Sequence, residues 1–193
     1  MPWLTAAYPP HHPARYPYLR IRTLAPGETA PLLAVFAQLG PEARLQRYHA
    51  PWPHLPERML RALADLHPQR HVALLASRGD RPVAIGRWQL ERAISRDSDQ
   101  TSGHQPSPTA EVAIEVVDRL HGLGVGSALL GELAVRALRA GVETFAMHVR
   151  EGNTRAQSWL ETLAAQPDPA VDGRWTVPVS RVVRQHPLQP PAA

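Results

Sequence analysis

Between Ala110 and Val149 the chain passes from an alternating apolar run through a turn with three closely spaced glycines, then into a helix and a second apolar run. Few folds accept that order. AEVAIEVV, residues 110–117, reads as a strand, and Gly122, Gly124 and Gly126 follow it in HGLGVGS. Without side chains there, a ligand can approach the backbone closely. The helix from Gly124 to Ala140 carries Val125, Leu129, Leu133 and Ala137 at i, i+4, joined by Leu130, Ala134 and Leu138, and Gly141 stops it. Thr144 to Val149 returns to strand. Together these make a right-handed β-α-β crossover. The first turn of such a helix leaves N–H groups unpaired with the positive end of the dipole behind them, which suits a pyrophosphate.

Glycines at a helix start admit several nucleotide-binding folds. A P-loop requires Gly-Lys-Ser/Thr, and this chain has no lysine. GLGVGS resembles the dinucleotide signature G-x-G-x-x-G/A, and Glu151 could serve as its acidic residue. That fold begins with this unit and needs further β-α repeats after it, whereas here over a hundred residues precede it and about forty follow.

Upstream, Tyr18–Leu24 alternates as a half-buried strand, and Glu28–Leu39 has helical spacing closed by Gly40 and Pro41. RYHAPWPHLP reads as a non-helical connection because of its prolines, before a helix over Glu57–Leu66. His71–Ala76 and Pro82–Leu90 flank Ser77-Arg78-Gly79-Asp80 as a hairpin. A helix over Asn153–Leu163 follows the second apolar run, and GRWTVPVSRVV supplies one or two short strands. Three segments are expected outside the packed unit of residues 18–184: a flexible proline-rich arm, 1–17, a disordered loop, 95–109, with no large apolar side chain, and a proline-rich tail, 185–193.

Composition excludes more than it assigns. With 193 residues and 44% hydrophobic content, the chain suits one domain with extensions. Having no cysteine, it has no disulfide, thiolate metal site or cysteine nucleophile. All 21 basic residues are arginine, spread along the chain for a net charge of only +4, so no nucleic-acid partner is expected. The ten histidines show no ligand spacing, so no metal is expected. No apolar run reaches membrane-spanning length and the N-terminus does not read as a signal peptide, so a cytoplasmic protein without membrane contact is expected, as monomer or homodimer.

The hexapeptide His121-Gly122-Leu123-Gly124-Val125-Gly126 resembles Gln/Arg-x-x-Gly-x-Gly/Ala, the signature of the GNAT superfamily of N-acetyltransferases. The wider segment AEVAIEVVDRLHGLGVGSALLGELAVRALRAGV is similar to that family's fourth strand, pyrophosphate loop and third helix, and EGNTRAQSWLETL to its next helix. The likeness covers roughly Tyr18 to Val183, and LGPEARLQRY resembles the helix-linking segment of bacterial GNAT domains related to protein lysine acetyltransferases.

The resemblance implies an α/β (α+β) fold: a mixed, mostly antiparallel sheet of six to seven strands with about four helices, strands four and five parallel and splayed. It also implies acetyl-CoA as co-substrate and direct transfer to an amine acceptor whose identity the sequence does not give. Val116 and Val117 would offer backbone hydrogen bonds to the pantetheine arm. His121, Gly122, Leu123, Gly124, Val125, Gly126 and Ser127 would wrap the pyrophosphate, and Asn153 would contact the arm from the other side while capping its helix. Transfer of a longer acyl group, or acyl-CoA binding without turnover, fits the same fold. His121 stands where glutamine or arginine is usual, Leu123 where a basic residue is common, and Leu160 where many members place a tyrosine that protonates the leaving thiolate.

A base must deprotonate the amine, and Glu111 and Glu115 are the candidates. They share one strand face, where each is expected to raise the other's pKa. Glu111 matches the fourth-strand glutamate used as base in some relatives and is the preferred candidate. The other reading for each is a carboxylate paired with arginine. Trp52, Trp88 and Trp159 are candidates to line an acceptor pocket, or simply to pack.

Overall fold

A computed structural model describes residues 19–91 and 107–186. The proposed arm, most of the 95–109 loop and nearly all of the tail lie outside the described residues. A seven-stranded sheet runs in the order β1-β2-β3-β4-β5-β7-β6. Its strands are β1 Leu19–Thr23, β2 His71–Arg78, β3 Arg81–Leu90, β4 Thr109–Val116, β5 Thr144–His148, β6 Gln166–Pro167 and β7 Arg174–Pro178. β4 and β5 pair in parallel and every other neighbouring pair is antiparallel. The described helices are α1 Ala30–Phe36, α2 Pro41–Tyr48, α3 Glu57–Ala64, α4 Val125–Arg139, α5 Thr154–Thr162 and α6 Val179–Gln185.

Strand alternation sorts the helices onto two faces. Gly86 and Ile114, paired across β3 and β4, point toward α4. A Cβ at Gly86 would lie 3.0 Å from Leu133 Cδ1, so the bare strand surface is what lets α4 pack closely. On the opposite face, Arg87 donates to the Leu63 carbonyl of α3, and Tyr48 of α2 reaches Glu115 of β4. Phe36 of α1 meets the Tyr48 ring edge-on at 5.5 Å. Leu129, Leu130, Leu133, Ala134 and Ala137 of α4 are fully buried, as the i, i+4 pattern predicted.

Two helices were not expected. α2 is PEARLQRY, within LGPEARLQRY, and among its own residues only Leu45 and Tyr48 are sizeable and apolar. Pro41 sits at its first position, where a missing N–H removes no helical bond, and the chain leaves at His49 (φ 57°) before Pro51. Of GRWTVPVSRVV, expected to supply one or two short strands, the first half is β7 and the second half opens α6 instead. Its Val179 and Val182, three apart, are both buried, and helical winding places them on one face. α1 is shorter than the expected 28–39, and β2 and β3 extend to a two-residue Gly79-Asp80 turn rather than one of four residues.

Candidate active site

β4 and β5 pair only at Thr109–Thr144, Ala110–Phe145 and Glu111–Ala146, although β4 continues to Val116. Beyond Glu111 the two strands part, which is the expected splay. The Val117 N–H donates to the Val83 carbonyl on the β3 side at 3.0 Å. Backbone groups alternate along a strand, so those of Val112, Ile114 and Val116 face the opened side. Of the two valines expected to offer hydrogen bonds, Val116 faces the gap, whereas the Val117 N–H is already donated.

The glycine turn closes the gap's upper end. Gly122 and Gly124 have φ of 75° and 79°, a region side chains resist, and Gly124 caps α4 in that conformation. The N–H groups of Val125, Gly126 and Ser127 precede the first helical bond, Ala128 N–H to the Gly124 carbonyl. A Cβ at Gly126 would meet Ile114 and Val116 only at ordinary contact distance, 3.8 and 3.9 Å. Leu123 is 53% exposed and brings no charge to the turn.

Side chains around the turn are held with fixed hydrogen-bond polarity. Trp159 Nε1 donates to Ser127 Oγ at 3.0 Å, and an indole nitrogen can only donate. Ser127 therefore accepts there and keeps its own proton for another acceptor. His121 Nε2 lies 2.8 Å from the Val116 carbonyl, and Nδ1 lies 2.6 Å from Arg155 NH1. The carbonyl only accepts and the guanidinium only donates, so the two contacts match the His121 tautomer with its hydrogen on Nε2 and Nδ1 as acceptor. Its ring thus ties the turn to the end of β4 and to α5. Asn153 Oδ1 accepts from the Ala156 N–H, the expected cap of α5. An oxygen-rich anion suits this end of α4, where three N–H groups and the Ser127 hydroxyl lie together.

The two candidate carboxylates are not neighbours. Four residues of extended strand separate them, about 13 Å, so the expected mutual pKa effect has no geometric basis. Glu111 is exposed, opposite Gln89 of β3, at the last paired position before the strands part. Glu115 is 4% exposed and lies among arginines. It accepts from Tyr48 Oη at 2.5 Å, with Arg87 NH2 at 3.8 Å and Arg47 Nε at 3.9 Å. Burial first, then the nearby Glu115 charge, pushes the Tyr48 phenol well above its usual range. Burial, reinforced by Arg47, pulls Arg87 down to about 10.

Leu160 is buried at 1% and offers no proton. Trp88 is fully buried in the core, Trp159 serves Ser127, and Trp52 lies 6.0 Å from the Tyr48 ring. Sequence reasoning missed Arg47, Tyr48, Arg87 and Arg155. Arg87 carried a signal, an arginine in the middle of the apolar strand PVAIGRWQL. Among the described residues no group of three His, Asp or Glu side chains could hold a metal ion, and no helix is long and apolar enough to cross a membrane.

The model of the acetyltransferase (GNAT) family matches residues 39–164. The crystal structure of the GNAT domain of S. lividans PAT is 26% identical, with 83% of this chain and 90% of that one covered and a TM-score of 0.72. A variant of the cAMP-binding acyltransferase from Mycobacterium smegmatis is 23% identical with a TM-score of 0.57; the match spans 94% of this chain but only 50% of that one. The aminoglycoside N-acetyltransferase AAC(6')-Iy, solved in complex with CoA, shares the fold at 16% identity, with 79% of this chain and 91% of that one covered and a TM-score of 0.58.

Proposed function

The chain belongs to the GNAT family of acetyltransferases, and on that premise we propose that it transfers an acetyl group from acetyl-CoA directly to a primary amine in the cytoplasm. The observation that carries this reading is the parting of β4 and β5 after Glu111–Ala146 directly below the glycine turn that opens α4. An unpaired strand edge with helical N–H groups at its end matches an elongated ligand with a pyrophosphate.

In this reading Val116 holds the pantetheine arm by its backbone, in the manner of an added strand, with Val117 fixing the end of β4 on β3. His121, Gly122, Leu123, Gly124, Val125, Gly126 and Ser127 surround the pyrophosphate, with Ser127 donating its hydroxyl proton. Asn153 borders the arm from α5. The donor supplies a thioester carbonyl for attack.

The acceptor must first lose a proton. An alkylamine with pKa near 10.4 gives up about three units at pH 7, roughly 4 kcal/mol. Glu111 is the proposed base: it is exposed, on β4, and at the mouth of the gap. It takes the ammonium proton, directly or through a water. The nitrogen then bonds to the carbonyl carbon, the carbon–sulfur bond breaks to release thiolate, and the second nitrogen proton passes to that thiolate or to solvent, leaving a neutral amide. Glu115 suits this task poorly, because Tyr48 and two guanidiniums already stabilise its charge and it is almost fully covered.

Calorimetric titration with acetyl-CoA, with NAD and longer acyl-CoAs as comparisons, tests the reading. Micromolar binding of acetyl-CoA, absent with NAD, is expected. Failure of every CoA ester to bind would end the enzyme proposal, and preference for a longer ester would shift the donor.

A further inference from the structure

The polar cluster under α2 carries more positive charge than it needs. Glu115 is its only carboxylate among the described residues. Arg87 NH1 takes the Leu63 carbonyl at 3.2 Å, but Arg87 NH2, 3.8 Å from Glu115, finds no hydrogen-bond partner among the described residues. The Arg87 side chain is 6% exposed. Arg47 Nε is likewise buried and without a hydrogen-bond partner, while the Arg47 side chain as a whole keeps 19% exposure and stacks its guanidinium over the Tyr48 ring. Arg44, one turn earlier in α2, spends its terminal nitrogens on the carbonyls of Phe36, Trp52 and Pro53 and neutralises nothing. Two guanidiniums thus face one carboxylate that is already engaged by Tyr48. Burying an uncompensated charge is costly, and buried N–H groups in native proteins almost always have acceptors.

Position decides what could complete the set. Glu111, Ala113 and Glu115 lie on one face of β4, and Arg87 is directly opposite Ala113 in the β3 register. Arg87 is therefore one strand step, about 7 Å, from the level of Glu111. Glu111 is exposed and Ala113 partly so, while of the two arginines Arg47 keeps 19% side-chain exposure and Arg87 only 6%. An amine held at Glu111 would have its remaining chain directed along β4 toward the guanidiniums.

We propose that Arg47 and Arg87 receive a carboxylate carried by the acceptor itself, so that the acceptor is an amino acid with its reacting amine several bonds from its carboxylate. A guanidinium fork matches a carboxylate in geometry as well as charge. The backbone step of about 7 Å sets the scale of the spacing, a chain of a few carbons between amine and carboxylate. The same excess of positive charge disfavours polycationic acceptors such as aminoglycosides or polyamines. This inference rests on the acetyltransferase reading above, since it names the acceptor for that site.

The test compares acetylation of a series of ω-amino acids, glycine through 6-aminohexanoate, with that of n-alkylamines of matching length, at saturating acetyl-CoA. At least one amino acid of intermediate length should exceed its alkylamine by tenfold or more in kcat/KM. Arg47→Gln should bring that ratio down severalfold, through KM of the amino acid. Arg87 is a core residue whose loss endangers folding, so Arg47, which retains solvent contact, is the variant to use, with its melting temperature recorded. Equal or better turnover of the alkylamines, an Arg47→Gln ratio like that of the parent, or acetyl-CoA binding with no acetylation of any amino acid would overturn the inference. Absence of acetyl-CoA binding would instead remove the reading on which it stands.

Discussion

The Tyr48 hydroxyl of α2 donates a 2.5 Å hydrogen bond to Glu115 Oε2 of β4, joining a helix to the sheet across 67 residues of chain. Both residues are buried, at 8% and 4% exposure. Tyr48→Phe keeps the ring but leaves a buried carboxylate short of a donor. A destabilisation of about 1–3 kcal/mol is expected, seen as a lower urea midpoint with an unchanged slope. An unchanged midpoint would mean that the two arginines satisfy Glu115 alone.

Glu111 is assigned the proton-transfer step and no part in donor binding. Glu111→Gln should lower kcat/KM by about 10²–10⁴-fold while calorimetry returns the same acetyl-CoA affinity. Raising the pH should restore part of the lost rate, because more of the amine is then already deprotonated. Turnover equal to the parent's at neutral pH would take Glu111 out of the mechanism.

Trp159 reaches the proposed donor site through its hydrogen bond to Ser127. Trp159→Phe and Ser127→Ala should each weaken acetyl-CoA binding by roughly fivefold, about 1 kcal/mol. The double variant should be no weaker than Ser127→Ala alone within twofold, since the indole has nothing else to orient there. Full additivity would show that Trp159 contributes by another route.

Two imidazoles make stability pH-dependent. Burial lowers the pKa of His71, against the opposing hydrogen bond to the Asp65 carbonyl, and burial alone lowers that of His186. Both are depressed on folding, so the unfolded chain binds more protons in acid. Their contribution to stability is whole above the unfolded imidazole value near 6.5. It is lost progressively as pH falls below that value through the folded pKa. Urea midpoints should therefore fall between pH 7.5 and 5.5, and NMR titration of His71 should give a midpoint below 6.5. A His71 midpoint at or above that value would contradict the assignment.

The β-α-β unit was legible from residues alone, because the period of two in AEVAIEVV, the i, i+4 spacing of Val125, Leu129 and Leu133, and the glycines between them are local requirements of backbone geometry. The cap at Asn153 was legible for the same reason. α2 and α6 were not. Few apolar residues mark α2 and β-branched valines weaken the helical signal of α6, and burial of Tyr48, Val179 and Val182 decided for helix. The pairing of Glu111 with Glu115 misled, since a shared strand face says nothing of the 13 Å between its ends.

The sequence by itself determined the glycine turn, the helix behind it and the strands flanking it. Only the tertiary structure decided which glutamate is buried and which is free, that Val117 donates its N–H to β3 while Val116 faces the gap, and that Arg47, Tyr48 and Arg87 gather around Glu115. Local periodicity encodes how a segment winds. Charge environment and solvent access depend on contacts between residues 28 to 68 positions apart, which no local pattern records.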